Sequence, residues 1–216
     1  LIIIMIKTNI NEEVKIGIIG LGYVGLPLAI EFSKKYNTKG YDKDKKRINL
    51  LRSNFDSTLE VSKKELKNSN LDLHSNPAEL KKCNVYVVTV PTPIDNNYIP
   101  VLDHLKDASE LIGELVDQND VVIFESTVYP GATEEFCVPI ISQKSKLKYN
   151  IDFFCGYSPE RINPGDKKMN LRNIKKVTSG SDKKTSLFID SLYSSIIEAG
   201  TYKASSIAVA EAAKVI

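Results

Sequence analysis

The sequence predicts an α/β protein built on a doubly wound parallel sheet. Three observations carry that expectation. Short runs rich in Val and Ile recur along the chain, helix-periodic segments separate them, and glycine- or proline-bearing stretches fall where the apolar runs end. Continuous apolar runs suit strands buried on both faces, as in a parallel sheet covered by helices.

The run VKIGIIG (14–20) reads as the first strand, and Leu26, Leu28, Ala29, Ile30 and Phe32 continue with helical density. TKGYD (38–42) reads as a second strand and KDKKRINLLR as a second helix. NVYVVTVPTP (84–93) is a run of strand formers stopped by two prolines. Leu102, Leu105, Ala108, Leu111, Ile112, Leu115 and Val116 then repeat at helical spacing. DVVIFEST (120–127) predicts another buried strand, followed by a turn at Pro130-Gly131 and a helix. IDFFCGYSPE (151–160) and IKKVTSG (174–180) read as strands, and DKKTSLFIDSLYSSI (182–196) and SSIAVAEAAKVI (205–216) as helices.

Right-handed crossovers bring the carboxyl ends of parallel strands to one edge, where ligands bind in such folds. The stretches GLGYVG, YDKD, VPTP, ESTVYPG and YSPERINPG all fall at or just after a predicted strand end. They are the places to look for chemistry.

The first of them is a G-x-G-x-x-G motif between strand and helix. Gly20 permits a tight turn, Gly22 lets the backbone approach a pyrophosphate, and Gly25 allows close packing of helix on strand. Unpaired N–H groups at the helix start favour phosphate. Asp42 ends the next strand, 22 residues after Gly20, where an acidic residue accepts hydrogen bonds from ribose hydroxyls. A carboxylate there disfavours the extra phosphate of NADP, so NAD is the expected cofactor and the fold is Rossmann-like. Arg47 either grips a phosphate or lies flat against the adenine. A structural βα turn with a surface aspartate is the competing reading.

Composition narrows the partners. Lys plus Arg number 29 against 27 for Asp plus Glu, and the lysines of 34–47 are interrupted by acids. No clustered basic face marks a nucleic-acid binder. LIIIMIK is too short to span a membrane. Cys83, Cys137 and Cys155 form no metal-like spacing and no even framework, so no metal is expected, and they are read as buried reduced thiols of a cytoplasmic protein. His74 and His104 are read as exposed or structural.

Taken together, GLGYVGLPLA, VPTPID, ESTVYPGATEE and GYSPERINPGDK resemble the N-terminal half of the UDP-glucose/GDP-mannose dehydrogenase family. Within it they look most like the UDP-N-acetylhexosamine 6-dehydrogenases of surface polysaccharide and capsule synthesis. The resemblance covers about residues 14–216 and several motifs in order. It implies a cytoplasmic, NAD-dependent oxidation of the sugar C6 alcohol to a carboxylate, with two hydride transfers. In the family a cysteine of a later domain forms a thiohemiacetal with the aldehyde, then a thioester that water hydrolyses. It further implies a homodimer through a central helix.

Position by position, the resemblance puts Gly20, Gly22, Tyr23, Val24 and Gly25 in the pyrophosphate turn and Asp42 and Arg47 at the adenosine end. Pro91, Thr92 and Thr127 face the cofactor, and Thr127 also lies near the reacting centre. Glu160 handles water and thioester hydrolysis, Arg161 and Ile162 contact the nucleotide-sugar, and Lys214 stabilises a developing oxyanion. Each has a plainer alternative: Thr92 as a turn former, Thr127 as a helix cap, Glu160 as a surface ion-pair partner of Arg161, Lys214 as a solvated lysine.

The expected organisation is an N-terminal appendage (1–12), an NAD-binding Rossmann domain (13–204) and the start of a central connecting helix (205–216). Leu1 in place of Met points to a start at Met5 or to an alternative start. The family's central and C-terminal UDP-sugar-binding domains, with the nucleophilic cysteine, have no counterpart in these residues. That predicts a fragment, a truncated product or the ordered part of something longer, without turnover of its own. Two other functions compete: the cofactor domain of a β-hydroxyacid-type dehydrogenase, against which SPERINPGD argues, and a non-catalytic nucleotide-binding module.

Overall fold

A computed structural model of the chain describes residues 13–160 and 171–215. Among the described residues eight strands form one sheet in the order β3-β2-β1-β4-β5-β6-β7-β8. These are β1 (Lys15–Ile19), β2 (Asn37–Tyr41), β3 (Asp72–His74), β4 (Val85–Val88), β5 (Val121–Phe124), β6 (Phe154–Tyr157), β7 (Lys176–Gly180) and β8 (Thr201–Lys203). Helices α1 (Gly25–Ser33), α2 (Lys45–Arg52), α3 (Lys63–Lys67), α4 (Asp103–Leu115), α5 (Val138–Ser145), α6 (Lys183–Ser194) and α7 (Ile207–Val215) connect or flank them.

The apolar runs are buried on both faces, as expected. In β4, Val85 and Val87 join a core with α1, α2 and α6, while Tyr86 and Val88 join the opposite core with α4, α5 and α7. In β5, Val121 and Ile123 divide from Val122 and Phe124 in the same way. This alternation is the period of two that a pleated strand imposes, here with no polar face.

The helix starts follow local chemistry. Asp44 caps α2 by accepting from Lys46 N at 2.8 Å, Ser62 and Glu65 close a capping box on α3, and Asp182 caps α6 through Thr185 N. No side chain caps α1.

The parallel expectation holds along most of the sheet, with one departure: β7 runs antiparallel to β6, with Tyr157 opposite Ser179. Parallel neighbours need a crossover, whereas chain returning along its own strand pairs antiparallel. The direction is set by the route of the connection and leaves no mark in the local pattern of IKKVTSG. The short strands β3 and β8 and the helix α3 were also absent from the sequence reading. Among the described residues no helix is long and apolar enough to cross a membrane.

Candidate active site

Beyond the carboxyl ends of β1, β2, β4 and β5 lies a cavity of about 780 Å³. It sits where the order of strands reverses between β1 and β4, the usual ligand crevice of such sheets. All five stretches singled out in the sequence reach its wall, through Gly22, Asp42, Thr92, Thr127 and Glu160 among others.

The glycine loop is built as its spacing requires. Gly20 has φ +95° and donates its N–H to Tyr41 O at 2.9 Å, a conformation that favours glycine. A Cβ on Gly25 would stand 1.9 Å from Gly20 O and 2.3 Å from Thr89 Oγ1. At Gly22 a Cβ would meet nothing within 4 Å, so that side of the loop opens into the cavity. Gly20, Gly22, Tyr23 and Val24 line the cavity, and Gly25 packs behind them.

Asp42 lines the cavity while its carboxylate is fixed from both sides, Oδ2 accepting from Leu21 N at 2.9 Å and Oδ1 from Asp44 N at 2.9 Å. Arg47 departs from expectation and does not line the cavity. It is buried, with its guanidinium 2.7 Å from Asp56 Oδ1 and its Nε donating to Leu21 O at 2.9 Å. A carboxylate within reach and a buried position draw the cation inward. Arg47 thus holds the glycine loop from behind.

The loops after β4 and β5 are tied together. Thr89 Oγ1 donates to Gly20 O at 2.7 Å, Ser126 Oγ to Val90 O at 2.6 Å, and Tyr157 Oη to Ser126 O at 3.0 Å. Pro91, Thr92 and Thr127 line the cavity. The Thr92 hydroxyl is buried without a hydrogen-bond partner, an arrangement that calls for a ligand atom. Thr127 is no helix cap: the helical turn that follows begins at Ala132.

Glu160 is not a surface residue. It is 6% exposed, lines the cavity, and faces the Lys176 ammonium with its carboxylate at 3.4 Å. Lys176 also pairs with Glu125 at 2.7 Å, and Tyr193 donates its hydroxyl to Glu125. Burial alone would lower the Lys176 pKa, but the two carboxylates outweigh it and hold the ammonium above its ordinary value. Burial pushes the Glu125 carboxyl up against the pull of Lys176.

Lys214 lines the cavity from α7 and donates to the Glu160 backbone carbonyl, so the solvated reading fails. The helix packs through Ile207, Ala210 and Glu211; Ala208, Ala212 and Ala213 are only half-buried. Glu211 accepts from Gly131 N at 2.6 Å and Thr133 N at 2.9 Å, fixing α7 against the π-helical turn Thr133–Cys137 that opens α5. Arg161 and Ile162 lie outside the described residues.

Sequence reasoning passed over Glu125, Lys176, Tyr193 and Glu211. An acid ending the apolar run DVVIFE was the available signal for Glu125; its partner Lys176 is 51 positions away. His104 reaches the cavity wall, as do Lys43 and Asp107, whose exposed side chains pair at 3.2 Å. The three cysteines are buried free thiols. Burial raises Cys83 to about 11, Cys137 to about 12 and Cys155 well above its ordinary value. None of them is a ready thiolate.

The open space at Gly22, the uncapped start of α1, the fixed Asp42 carboxylate and the unpartnered Thr92 hydroxyl together fit a dinucleotide. Comparison with known proteins agrees. The chain is 58% identical over 206 residues to a UDP-N-acetyl-D-glucosamine 6-dehydrogenase of Pseudomonas aeruginosa, covering 95% of this chain and 49% of that protein. To a protein of the same description from Salmonella typhi it is 55% identical, covering 95% and 48%. The solved UDP-D-ManNAc dehydrogenase of Pyrococcus horikoshii superposes with a TM-score of 0.84 at 28% identity, over 93% of this chain and 49% of that one. The chain therefore spans about half the length of the relatives it matches. Residues 14–197 match the model of the NAD binding domain of the UDP-glucose/GDP-mannose dehydrogenases, and the chain belongs to that family.

Proposed function

We propose that this chain is the cofactor-binding part of an NAD-dependent UDP-N-acetylhexosamine 6-dehydrogenase that serves surface polysaccharide synthesis. The observation that carries the reading is the convergence of Thr127, Glu160 and Lys214 on the same cavity as the glycine loop and Asp42. N-acetylglucosamine is the favoured sugar, supported by 58% and 55% identity to glucosamine enzymes against 30% to a mannosamine enzyme.

NAD, when bound, supplies the hydride acceptor. Gly22 and the start of α1 receive its pyrophosphate, Asp42 its adenosine ribose, and Thr92 a polar atom that completes the buried hydroxyl. At the reacting end C6 would lose two hydrides in succession, one to each of two NAD molecules. The first leaves as the hydroxyl proton passes to solvent, giving the aldehyde. The second leaves from the adduct of that aldehyde with the cysteine of a later domain, giving the thioester that water hydrolyses. Lys214 stabilises the negative charge that grows on the C6 oxygen, and Glu160 orients and deprotonates the water that completes the carboxylate. Arg47 supports the cofactor site indirectly, by bracing Leu21.

In this reading the domain runs from 13 to 204, residues 205–216 begin a connecting helix through which two copies pair, and the protein works in the cytoplasm. The test is turnover of an enzyme of full family length carrying this chain, offered the gluco, galacto and manno UDP-N-acetylhexosamines in turn. Two NADH per UDP-sugar oxidised is expected, fastest with the gluco epimer. A full-length enzyme that binds NAD yet oxidises none of the three would sink the reading.

A further inference from the structure

We propose that Lys176, braced by Glu125 and Tyr193, is a positioning residue that holds the Glu160 carboxylate in place on the cavity wall. The proposal rests on the reading of Glu160 as the group that handles water at the reacting end.

Four elements contribute the cluster. Glu125 follows β5, Lys176 opens β7, Tyr193 lies on α6, and Glu160 follows β6 by three residues. Lys176 is 2% exposed and Glu125 1%. Glu125 Oε2 lies 2.7 Å from the ammonium, its Oε1 accepts the Tyr193 hydroxyl, and the ammonium reaches Glu160 Oε2 at 3.4 Å. The same ammonium stands 5.8 Å from the centre of the Tyr193 ring. From α7, Lys214 donates to the carbonyl of Glu160. Backbone and side chain of that residue are therefore each held by an ammonium.

Stability alone does not account for the arrangement. A buried ion pair often contributes no more than well-packed apolar residues of the same volume. Buried charges whose far ends open into a ligand cavity are more often there for the ligand. Glu125 and Glu160 both line the cavity, while Lys176 and Tyr193 do not. Glu160 needs such a support because it sits beyond the end of β6, where ladder hydrogen bonds no longer fix its direction. Lys176 opens a strand and faces Thr201 of β8, and its own N–H donates to Gly200 O at 3.2 Å, which anchors it.

The test is the charge-compensated double variant Glu125→Gln/Lys176→Met, which leaves no uncompensated charge on the pair and so is expected to fold. Lys176→Met alone accompanies it. Crystal structures of this chain are compared with its parent, and turnover is measured in the enzyme of full family length. In the double variant the Glu160 carboxylate is expected to move by about 1 Å or more, and turnover to fall about 10²-fold, with KM and NAD affinity within about twofold of the parent. Thermal stability should fall less than in Lys176→Met alone, which strands the buried Glu125 carboxylate as well as that of Glu160. A Glu160 carboxylate that stays in place, or turnover within about twofold of the parent, would overturn the proposal. So would a loss of NAD binding parallel to the loss of turnover, since that is what a general structural role would give. If the parent enzyme oxidises no UDP-sugar, the reading of the reaction fails, and the position of Glu160 in the crystals still decides the clamp.

Discussion

Glu211 and Gly131 are joined by a 2.6 Å hydrogen bond, the carboxylate on α7 accepting the backbone N–H of the turn that follows β5. A second bond, from Thr133 N at 2.9 Å, uses the other carboxylate oxygen. Glu211 is fully buried. It acts as a helix cap supplied from another element, satisfying N–H groups that the start of a helix leaves unpaired. The same bonds fix the helix that carries Lys214, three residues on, to the loop that carries Thr127.

Glu211→Ala leaves the half-buried Gly131 N–H and the buried Thr133 N–H without this acceptor. A loss of about 2–4 kcal/mol is expected, read from urea unfolding of this chain, while Glu211→Gln should lose less because its amide oxygen still accepts one bond. An alanine variant as stable as the parent would show that these bonds carry little.

The second and third glycines of the motif should separate stability from binding. Gly25→Ala drives a methyl into Gly20 O and Thr89 Oγ1 and should cost about 1–3 kcal/mol or more of stability. Gly22→Ala meets no atom of the chain and should leave stability nearly unchanged. Its methyl instead occupies space meant for pyrophosphate, so NAD affinity should fall about tenfold or more, the equivalent of one lost hydrogen bond. Calorimetric titration and thermal melts of both variants check the split. Unaltered NAD binding by Gly22→Ala would place the pyrophosphate elsewhere.

Asp42 should make the chain prefer NAD to NADP, since a fixed carboxylate repels a 2′-phosphate. Titration with each cofactor tests it, and equal or tighter NADP binding would refute the assignment. Asp42→Ala should weaken NAD by about 1–3 kcal/mol, through lost ribose contacts and through release of the Leu21 and Asp44 N–H groups it now accepts.

The Asp56 carboxyl predicts an acid-sensitive fold. Burial opposes its ionisation, but hydrogen bonds from Thr58, Val61 N–H and the Arg47 guanidinium prevail and hold its pKa below the ordinary value. A depressed folded-state pKa gives stability that is present above the unfolded value, about 3.9, and is lost as pH falls through the folded one. Stability should therefore decline below about pH 4, and Asp56→Asn should flatten that decline. At neutral pH the variant should lose about 3–5 kcal/mol, because Arg47 is left buried without its counter-charge. Denaturation series from pH 2.5 to 7, by roughly half-unit steps, would reveal whether the two curves converge in acid as expected.

Much of the fold was legible because β1, β4 and β5 are continuous apolar runs, which only a doubly covered sheet accommodates. By contrast, β3 has the sequence DLH and β8 TYK, too short and polar for a periodic signal. The cavity wall was legible wherever a motif is local, as in GLGYVG and YDKD. Arg47 misled because a cation near a predicted phosphate site is equally suited to a buried aspartate, and Asp56 lies nine positions away in an irregular stretch. The Glu125–Lys176 pair joins the residue that follows β5 to the first residue of β7, with β6 between the two strands. Only the sheet order brings them together, and that order is not written in either segment.

Lys214 offers the sharpest test of the reacting end. It reaches the cavity from α7, close enough to donate to the carbonyl of Glu160. In the proposed reaction both the alcohol oxidation and the later hydrolysis put negative charge on an oxygen near C6. A preorganised ammonium stabilises that charge more than it stabilises the neutral ground state. Removal of such a group typically costs about 10²–10³ in turnover. In the enzyme of full family length, Lys214→Ala should show that loss with NAD affinity nearly unchanged, since Gly22, Asp42 and Thr92 hold the cofactor from other elements. Lys214→Arg keeps the charge but not the compact ammonium, and should recover only part of the rate. Near-normal kcat in the alanine variant would return Lys214 to a purely structural role, tying α7 to the end of β6.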